Sequence, residues 1–280
     1  MVRSLIFAAV MAIAPAAPAL AQLEPYDPNS IEVDVELLLL VDVSRSMTPN
    51  ELEIQRRGYA EALVSPEVLK AINGGMIGHV AIAYVEWAGS YSQRVIQEWA
   101  VIRTYEDAQN FADSIAMNST GGMRRTSISS ALSVGAVYFR DNGFTGLRRV
   151  IDVSGDGPNN DGAPVLAARD QVVSQGITIN GLPLMTREGM GGMWTIENLD
   201  AYYRDCVIGG PGAFVVPVLD WSEFAAAVRK KLVLEIAGDT PPPAPFAIQT
   251  EPERIIPTQG ATDCLIGEKI WERYRQNWEP

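Results

Sequence analysis

Asp42-Val43-Ser44-Arg45-Ser46 sets a carboxylate and two hydroxyls at alternate positions. In a tight turn alternate residues point the same way, so Asp42, Ser44 and Ser46 can converge on one point. An all-oxygen surface of this kind suits magnesium, manganese or calcium better than zinc or copper. At average residue usage the pattern alone arises by chance in roughly one chain in fifteen of this size. A Ser/Asp-rich turn that caps the next helix is the alternative reading. Two further segments add weight. Thr126 stands at a loop tip where a helical segment reaching Leu132 begins, and Asp156-Gly157 follows the apolar stretch Arg149–Val153.

The elements that must position these residues are legible in the hydropathy pattern. Ile31, Val33 and Val35 alternate with Glu32, Asp34 and Glu36, and Leu37–Val41 is wholly apolar. That predicts a strand that begins half exposed and becomes buried on both faces, as in the middle of a parallel sheet. Thr48, Pro49 and Glu51 supply the N-cap, first helical position and capping-box partner of a helix bearing Leu52, Tyr59 and Leu63. Val80–Val85 and Arg94–Ile102 are so close in sequence that an antiparallel hairpin at a sheet edge is expected. Helical spacing links Ile128, Leu132, Gly135 and Phe139, and again Val165, Ala168 and Val172, stopping near Gly176. Ile177–Leu184 and Phe214–Leu219 are two more expected strands, with a short helix over Leu199–Cys206 between them. Asp220 and Glu223 form a possible capping box for a last helix with Trp221, Phe224, Val228 and Leu232. Strands alternating with helices predict an α/β fold: a doubly wound, mostly parallel sheet flanked by helices, with one antiparallel edge strand. Such sheets bind ligands at the carboxyl ends of their strands, where Asp42 and Asp156 fall.

The order and context of these three parts resemble the von Willebrand factor A domain. Its metal-ion-dependent adhesion site (MIDAS) joins D-x-S-x-S after the first strand, a Thr in a mid-domain loop and an Asp-Gly after the fourth strand. The resemblance covers about residues 33–238. In Val35–Ser46, Tyr84–Gly89 and Asp152–Asn160 the chain looks most like a bacterial family of secreted single-domain members without assigned function. The resemblance implies a divalent cation, Mg2+ or else Mn2+ or Ca2+. Ser44 and Ser46 would bind it directly, Thr126 directly or through water, and Asp42 and Asp156 mainly through bound waters. A cation so held keeps much of its charge and favours an Asp or Glu from a partner protein. There are departures. The lead-in to Thr126 is Gly121-Gly122-Met123-Arg124-Arg125, whose arginines either draw an acidic group to the site or face solvent. Val153-Ser154-Gly155 precedes the Asp-Gly, so Asp152 competes with Asp156 for the inward position; Asp156 is favoured because Asp152 lies within the strand. Trp87, Arg124, Arg125 and Asn159 are candidates for the ligand rim, with core packing the alternative for Trp87.

Bulk properties narrow the function classes. Residues 1–21 run from a single Arg3 through an apolar stretch to Ala19-Leu20-Ala21, the order of a secretory signal peptide. Cleavage near Ala21 would remove one positive charge and take the net charge from −12 to −13. An acidic chain is a poor partner for nucleic acid or anionic membrane, and no segment is apolar for long enough to span a bilayer. The expected organisation is a leader over residues 22–32, the domain over residues 33–238, a Pro-rich linker over residues 239–245 and a tail over residues 246–280 with a helix over Gly267–Trp278. Export would place Cys206 and Cys264 in an oxidising compartment, where a bridge between them would tie the tail to the domain; two free thiols are the alternative. The expected function is an exported, metal-dependent protein-binding module, periplasmic or secreted, and not an enzyme. The alternatives are a metal-dependent hydrolase and an assembly factor for an envelope complex. Against the hydrolase stand Ser44 where aspartyl phosphotransferases have a second Asp, the lack of G-x-S-x-G, and a lone histidine, His79, at the wrong sheet edge.

Overall fold

The four consecutive leucines of Leu37–Leu40 are all buried, and they divide between two cores. Leu37 and Leu39 join one apolar cluster, Leu38 and Leu40 the other. Successive side chains of a strand point to opposite faces, so a run without polar interruption requires helices on both sides. That strand is β1, Ile31–Asp42. The computed structural model describes residues 28–117, 122–186, 195–238 and 262–278. The expected signal peptide, most of the leader, the Pro-rich linker and the first part of the tail lie outside them.

The sheet is completed by β2 (Val80–Trp87), β3 (Gln93–Ile102), β4 (Phe144–Gly155) and β5 (Ile177–Pro183), in the order β3-β2-β1-β4-β5. All neighbours are parallel except β2 and β3, which form the antiparallel edge hairpin. Helices α1 (Pro49–Leu63), α2 (Pro66–Asn73), α3 (Tyr105–Met117) and α7 (Phe224–Ala237) cover one face. The other is covered by α4 (Ile128–Tyr138), α5 (Val165–Val173) and α6 (Leu199–Tyr202), which runs on into a π turn over Tyr203–Val207. The last helix, α8 (Ile266–Trp278), joins that second side through Ile266. This is the α/β doubly wound architecture expected of the sequence. Among the described residues no helix is long and apolar enough to cross a membrane.

Local chemistry explains most boundaries. Thr48 Oγ1 accepts from Glu51 N, and Glu51 Oε2 accepts from Thr48 N at 2.6 Å, the full capping box. Gly176 and Gly238 end α5 and α7 in the left-handed region, at φ of 76° and 75°, which costs glycine little.

Three expectations need correction. The start of β1 is exposed only at Ile31 and Glu32; Asp34 and Glu36 are buried. Asp34 accepts from the backbone of Ile77 and Gly78, and Glu36 accepts from Asn142 Nδ2 and Gly146 N, so each charge is compensated where it is buried. Phe214–Leu219 is not a regular strand but a broken run beside β5, bridged at Val215 and Val218, and Pro217 between them has no N–H to continue a ladder. At the last helix Asp220 accepts from Ser222, and a 3-10 turn over Trp221–Glu223 precedes α7; no reciprocal Glu223 contact closes a box. Helices α2 and α3 were not expected from the periodicity.

Candidate metal centre

β1 is hydrogen-bonded to β2 on one side and β4 on the other; the crossover from β1 to β2 runs over one face through α1 and α2, and that from β4 to β5 over the other through α5. Ligand sites form at such a switch point, beyond the carboxyl ends of the strands. Asp42 ends β1 and Asp156 follows β4, so both stand there.

Their side chains are linked by the intervening hydroxyls. Ser44 Oγ lies 2.8 Å from Ser46 Oγ, and Ser46 Oγ donates to Asp156 Oδ1 at 2.7 Å. Asp42 Oδ1 accepts from Ser44 N at 2.7 Å, which folds the turn back on itself. Gln55 Nε2 of α1 donates to the Asp42 carbonyl at 2.9 Å. Asp42 is fully buried, yet its Oδ2 has no hydrogen-bond partner. A Cβ on Gly155 would stand 3.0 Å from that oxygen and 2.7 Å from the Tyr203 hydroxyl, so the absent side chain keeps a polar recess open. The Tyr203 hydroxyl is likewise buried without a partner.

The carboxylates sit in an environment that penalises negative charge. Burial, and then the charge of Asp156, push the Asp42 carboxyl well above the usual range, with the Ser44 N–H pulling part of the way back. Burial pushes Asp156 up to about 6; the Ser46 hydroxyl opposes the shift and the Glu51 charge adds to it. Glu51 is therefore a third acid in the field of the site, held by its capping duty and by Trp221 Nε1 at 2.9 Å from Oε1.

Thr126 is buried in the loop before α4 and is held from both sides of its peptide. Asn160 N donates to the Thr126 carbonyl at 2.8 Å, and Thr126 N donates to Asn160 Oδ1 at 3.0 Å. Upstream, Met123 N donates to the Val43 carbonyl at 2.8 Å, bridging this loop to the D-x-S-x-S turn. The three segments singled out in the sequence thus meet at one end of the sheet. Asp152 does not join them: it is buried in β4 with its Oδ1 2.7 Å from Lys231 Nζ of α7.

The rim candidates separate. Arg124 and Arg125 are exposed. Trp87 is completely buried in the second core, where its apolar area is hidden from water, and does not reach the surface. Asn159 is completely buried too and works as a junction rather than a rim: its Oδ1 accepts from Ser129 N at 3.0 Å and its Nδ2 donates to the Ala163 carbonyl at 3.1 Å. Sequence reasoning missed Tyr203 and Gln55, and no local motif marks either. Cys206 and Cys264 form a disulfide with their Cα atoms 5.5 Å apart.

Among the described residues no group of three or more His, Cys, Asp or Glu side chains is placed to hold a metal ion. The constellation present is two carboxylates with hydroxyls, and its fit to a hard cation rests on the oxygen-only donor set and the unpartnered Asp42 Oδ2.

A family model described as "Protein of unknown function (DUF1194)" matches residues 32–240. The chain belongs to that family. No curated protein matches it. Among solved structures it is similar to proximal thread matrix protein 1 from the mussel byssus, at 16% identity and a TM-score of 0.54, over 74% of this chain and 49% of that one. The same mussel protein "with zinc occupied MIDAS motif" is similar at 18% identity and a TM-score of 0.50, again over 74% and 49%. A von Willebrand factor type A protein from Catenulispora acidiphila aligns at 13% identity and 0.51, over 73% and 43%. The pilus adhesin SpaC from Lactobacillus rhamnosus GG aligns at 12% and 0.52, over 74% and 31%. The chain spans half or less of the length of these structures. At such identities the likeness establishes the fold alone, a mostly parallel sheet flanked by helices.

Proposed function

We propose that this chain is an exported binding module, not an enzyme, that holds a divalent cation at Asp42, Ser44, Ser46, Thr126 and Asp156 and uses it to capture an acidic group of a partner protein. The observation that carries the reading is the chain of contacts Asp42–Ser44–Ser46–Asp156 at the sheet's switch point, with a buried carboxylate oxygen left unpartnered. Buried polar atoms are nearly always satisfied, and two dehydrated carboxylates flanking a hydroxyl pair are relieved by positive charge. Magnesium or manganese suits the donors; when bound, it would supply a Lewis-acidic centre open to a partner's carboxylate. The mussel protein is described with zinc in its MIDAS motif and SpaC is a pilus adhesin, which agrees with a binding role for this fold.

The remaining assignments follow the same reading. Residues 1–21 are a signal peptide and residues 239–245 a linker, and a disulfide suits an oxidising compartment outside the cytoplasm. A hydrolytic role is disfavoured by the position of His79, the chain's one histidine. It precedes Val80 at the amino end of β2, whereas Asp42 is in register with Trp87 at the far end. With a net charge that cleavage takes from −12 to −13, the protein repels an acidic partner at long range, so capture depends on the local field of the cation, with the exposed Arg124 and Arg125 beside it.

Calorimetry of the purified chain is expected to show one Mg2+ or Mn2+ site that Asp42→Ala abolishes. Ser44→Ala should abolish chelator-sensitive capture of partners from envelope extract while leaving circular dichroism unchanged. Undiminished cation binding by Asp42→Ala would place the cation elsewhere. Normal, chelator-insensitive capture by Ser44→Ala would rule out the adhesion-site reading.

A further inference from the structure

The match to the family ends at residue 240, but the chain goes on, and α8 returns to the loops that carry the candidate site. A disulfide, Asn159 and Arg125 hold it there. Cys264 is bonded to Cys206, which is fully buried at the end of the π turn after α6. Gly267 lies so close to the Asn159 carbonyl that a Cβ there would stand 2.0 Å from that oxygen, and Glu268 Oε1 accepts from Asn159 Nδ2 at 2.7 Å. The Trp271 ring lies under the Arg125 guanidinium, 4.6 Å from its centroid.

Both residues gripped by α8 are close neighbours of candidate cation ligands. Arg125 immediately precedes Thr126, and Asn159 follows Asp156 by three positions. Arg125 has a φ of 72°, a left-handed conformation that a residue with a Cβ adopts only when its surroundings impose it. Here Arg125 Nη1 donates to Asp161 Oδ1 at 2.8 Å on one side and the Trp271 face covers it on the other. Asn159 ties its loop to α4 through Ser129 N and to α6 through Tyr202, whose hydroxyl accepts from Asn159 N at 3.1 Å. Between the two, Asn160 holds the peptide of Thr126. The Thr126 loop and the Asp156 loop are therefore one hydrogen-bonded unit, and α8 presses on it at both ends.

We propose that α8 is a disulfide-tethered brace for the cation site, with Glu268 and Trp271 as positioning residues that set the separation of Thr126 and Asp156 and so the affinity for a divalent cation. The proposal rests on the cation reading of the site. Loop residues that orient a metal's ligands commonly change affinity by tenfold or more when lost. Glu268 and Trp271 touch neither carboxylate nor hydroxyl of the site, so their effect must pass through Asn159 and Arg125.

The test uses the purified full chain and its Glu268→Ala, Glu268→Gln, Trp271→Ala and Cys264→Ser variants. Mn2+ affinity is measured by calorimetry, and hydrogen exchange of residues 122–127 and 156–163 is measured without cation. The expected result is Mn2+ binding weakened about tenfold in Glu268→Ala, Trp271→Ala and Cys264→Ser, with faster exchange in both loops. Glu268→Gln keeps an acceptor for Asn159 Nδ2 and is expected to restore both readouts. Wild-type affinity and wild-type exchange in all the variants would overturn the brace while leaving the cation reading intact. If the wild-type chain binds no Mn2+, the cation reading fails by itself. Loop exchange then decides the brace: faster exchange in the variants upholds it as a loop-positioning device, and unchanged exchange overturns it.

Discussion

Two aspartates of β4 and its following turn, four positions apart, have different surroundings. Asp156 faces Ser46 at the switch point, whereas Asp152 faces Lys231 and, through it, Glu235. The second group is a buried cluster: Lys231 Nζ stands 2.7 Å from Asp152 Oδ1 and 2.5 Å from Glu235 Oε1, and Asn180 Nδ2 donates to the same Glu235 oxygen at 3.0 Å. One ammonium cannot neutralise two carboxylates. Burial, with the Asp152 charge adding and Lys231 opposing, pushes Glu235 up to about 7 from its ordinary 4.5. Between those values the folded chain keeps a proton that the unfolded chain has released, so raising the pH across this window weakens folding. Glu235→Gln retains the acceptor oxygen and has no proton to lose. Urea midpoints measured from about pH 4.5 to about pH 7.5 should show the wild type losing stability relative to Glu235→Gln as pH rises. A difference that stays constant with pH would mean that Glu235 keeps an ordinary pKa.

The D-x-S-x-S turn is held in place by the helix that follows it. Helix α1 carries the capping box at its start, sends Gln55 to the Asp42 carbonyl, and packs Tyr59 edge-on against Tyr84 of β2 and Phe224 of α7. Its contact with α7 is close because of Gly58: a Cβ there would stand 2.4 Å from Phe224 Cδ1. Phe224 is fully buried and packs between Tyr59 and Trp221, so the ring has little room to give way. Gly58→Ala would gain roughly 1 kcal/mol of helix propensity but overpack a filled contact, which costs about 1–3 kcal/mol. A net loss of stability in chemical denaturation is expected. A gain of the full propensity value would show that α1 and α7 can separate freely.

At the scale of the whole molecule, the disulfide joins residues 58 positions apart and brings α8 onto the second core. Closing a loop of that length stabilises by about 4 kcal/mol in the chain-entropy model. Cys264→Ser should therefore lower the stability of the chain by an amount of that order, read as a shift of the urea midpoint. No change would mean that the tail contributes nothing to the folded ensemble. The acidic balance acts at this scale as well. A formal net charge of −12 disfavours nucleic acid and anionic membrane surfaces as partners.

What the sequence determined by itself was set by local rules. The unbroken apolar run of β1 required burial on both faces, and strand–helix alternation then implied a doubly wound sheet with Asp42 and Asp156 at its carboxyl ends. The Thr48 box, the Gly176 stop and the β2–β3 hairpin were readable because each depends on residues close together in the chain. Only the tertiary structure decided matters that depend on distant partners. Asp34 and Glu36 are buried because backbone amides and Asn142 from other segments meet them. Trp87 is core because α4 and its neighbours cover it, and Asn159 is a junction because α4, α6 and α8 converge on it. The place of Tyr203 beside Asp42 and the return of α8 to Arg125 likewise follow from how helices pack on the sheet, which no periodicity encodes.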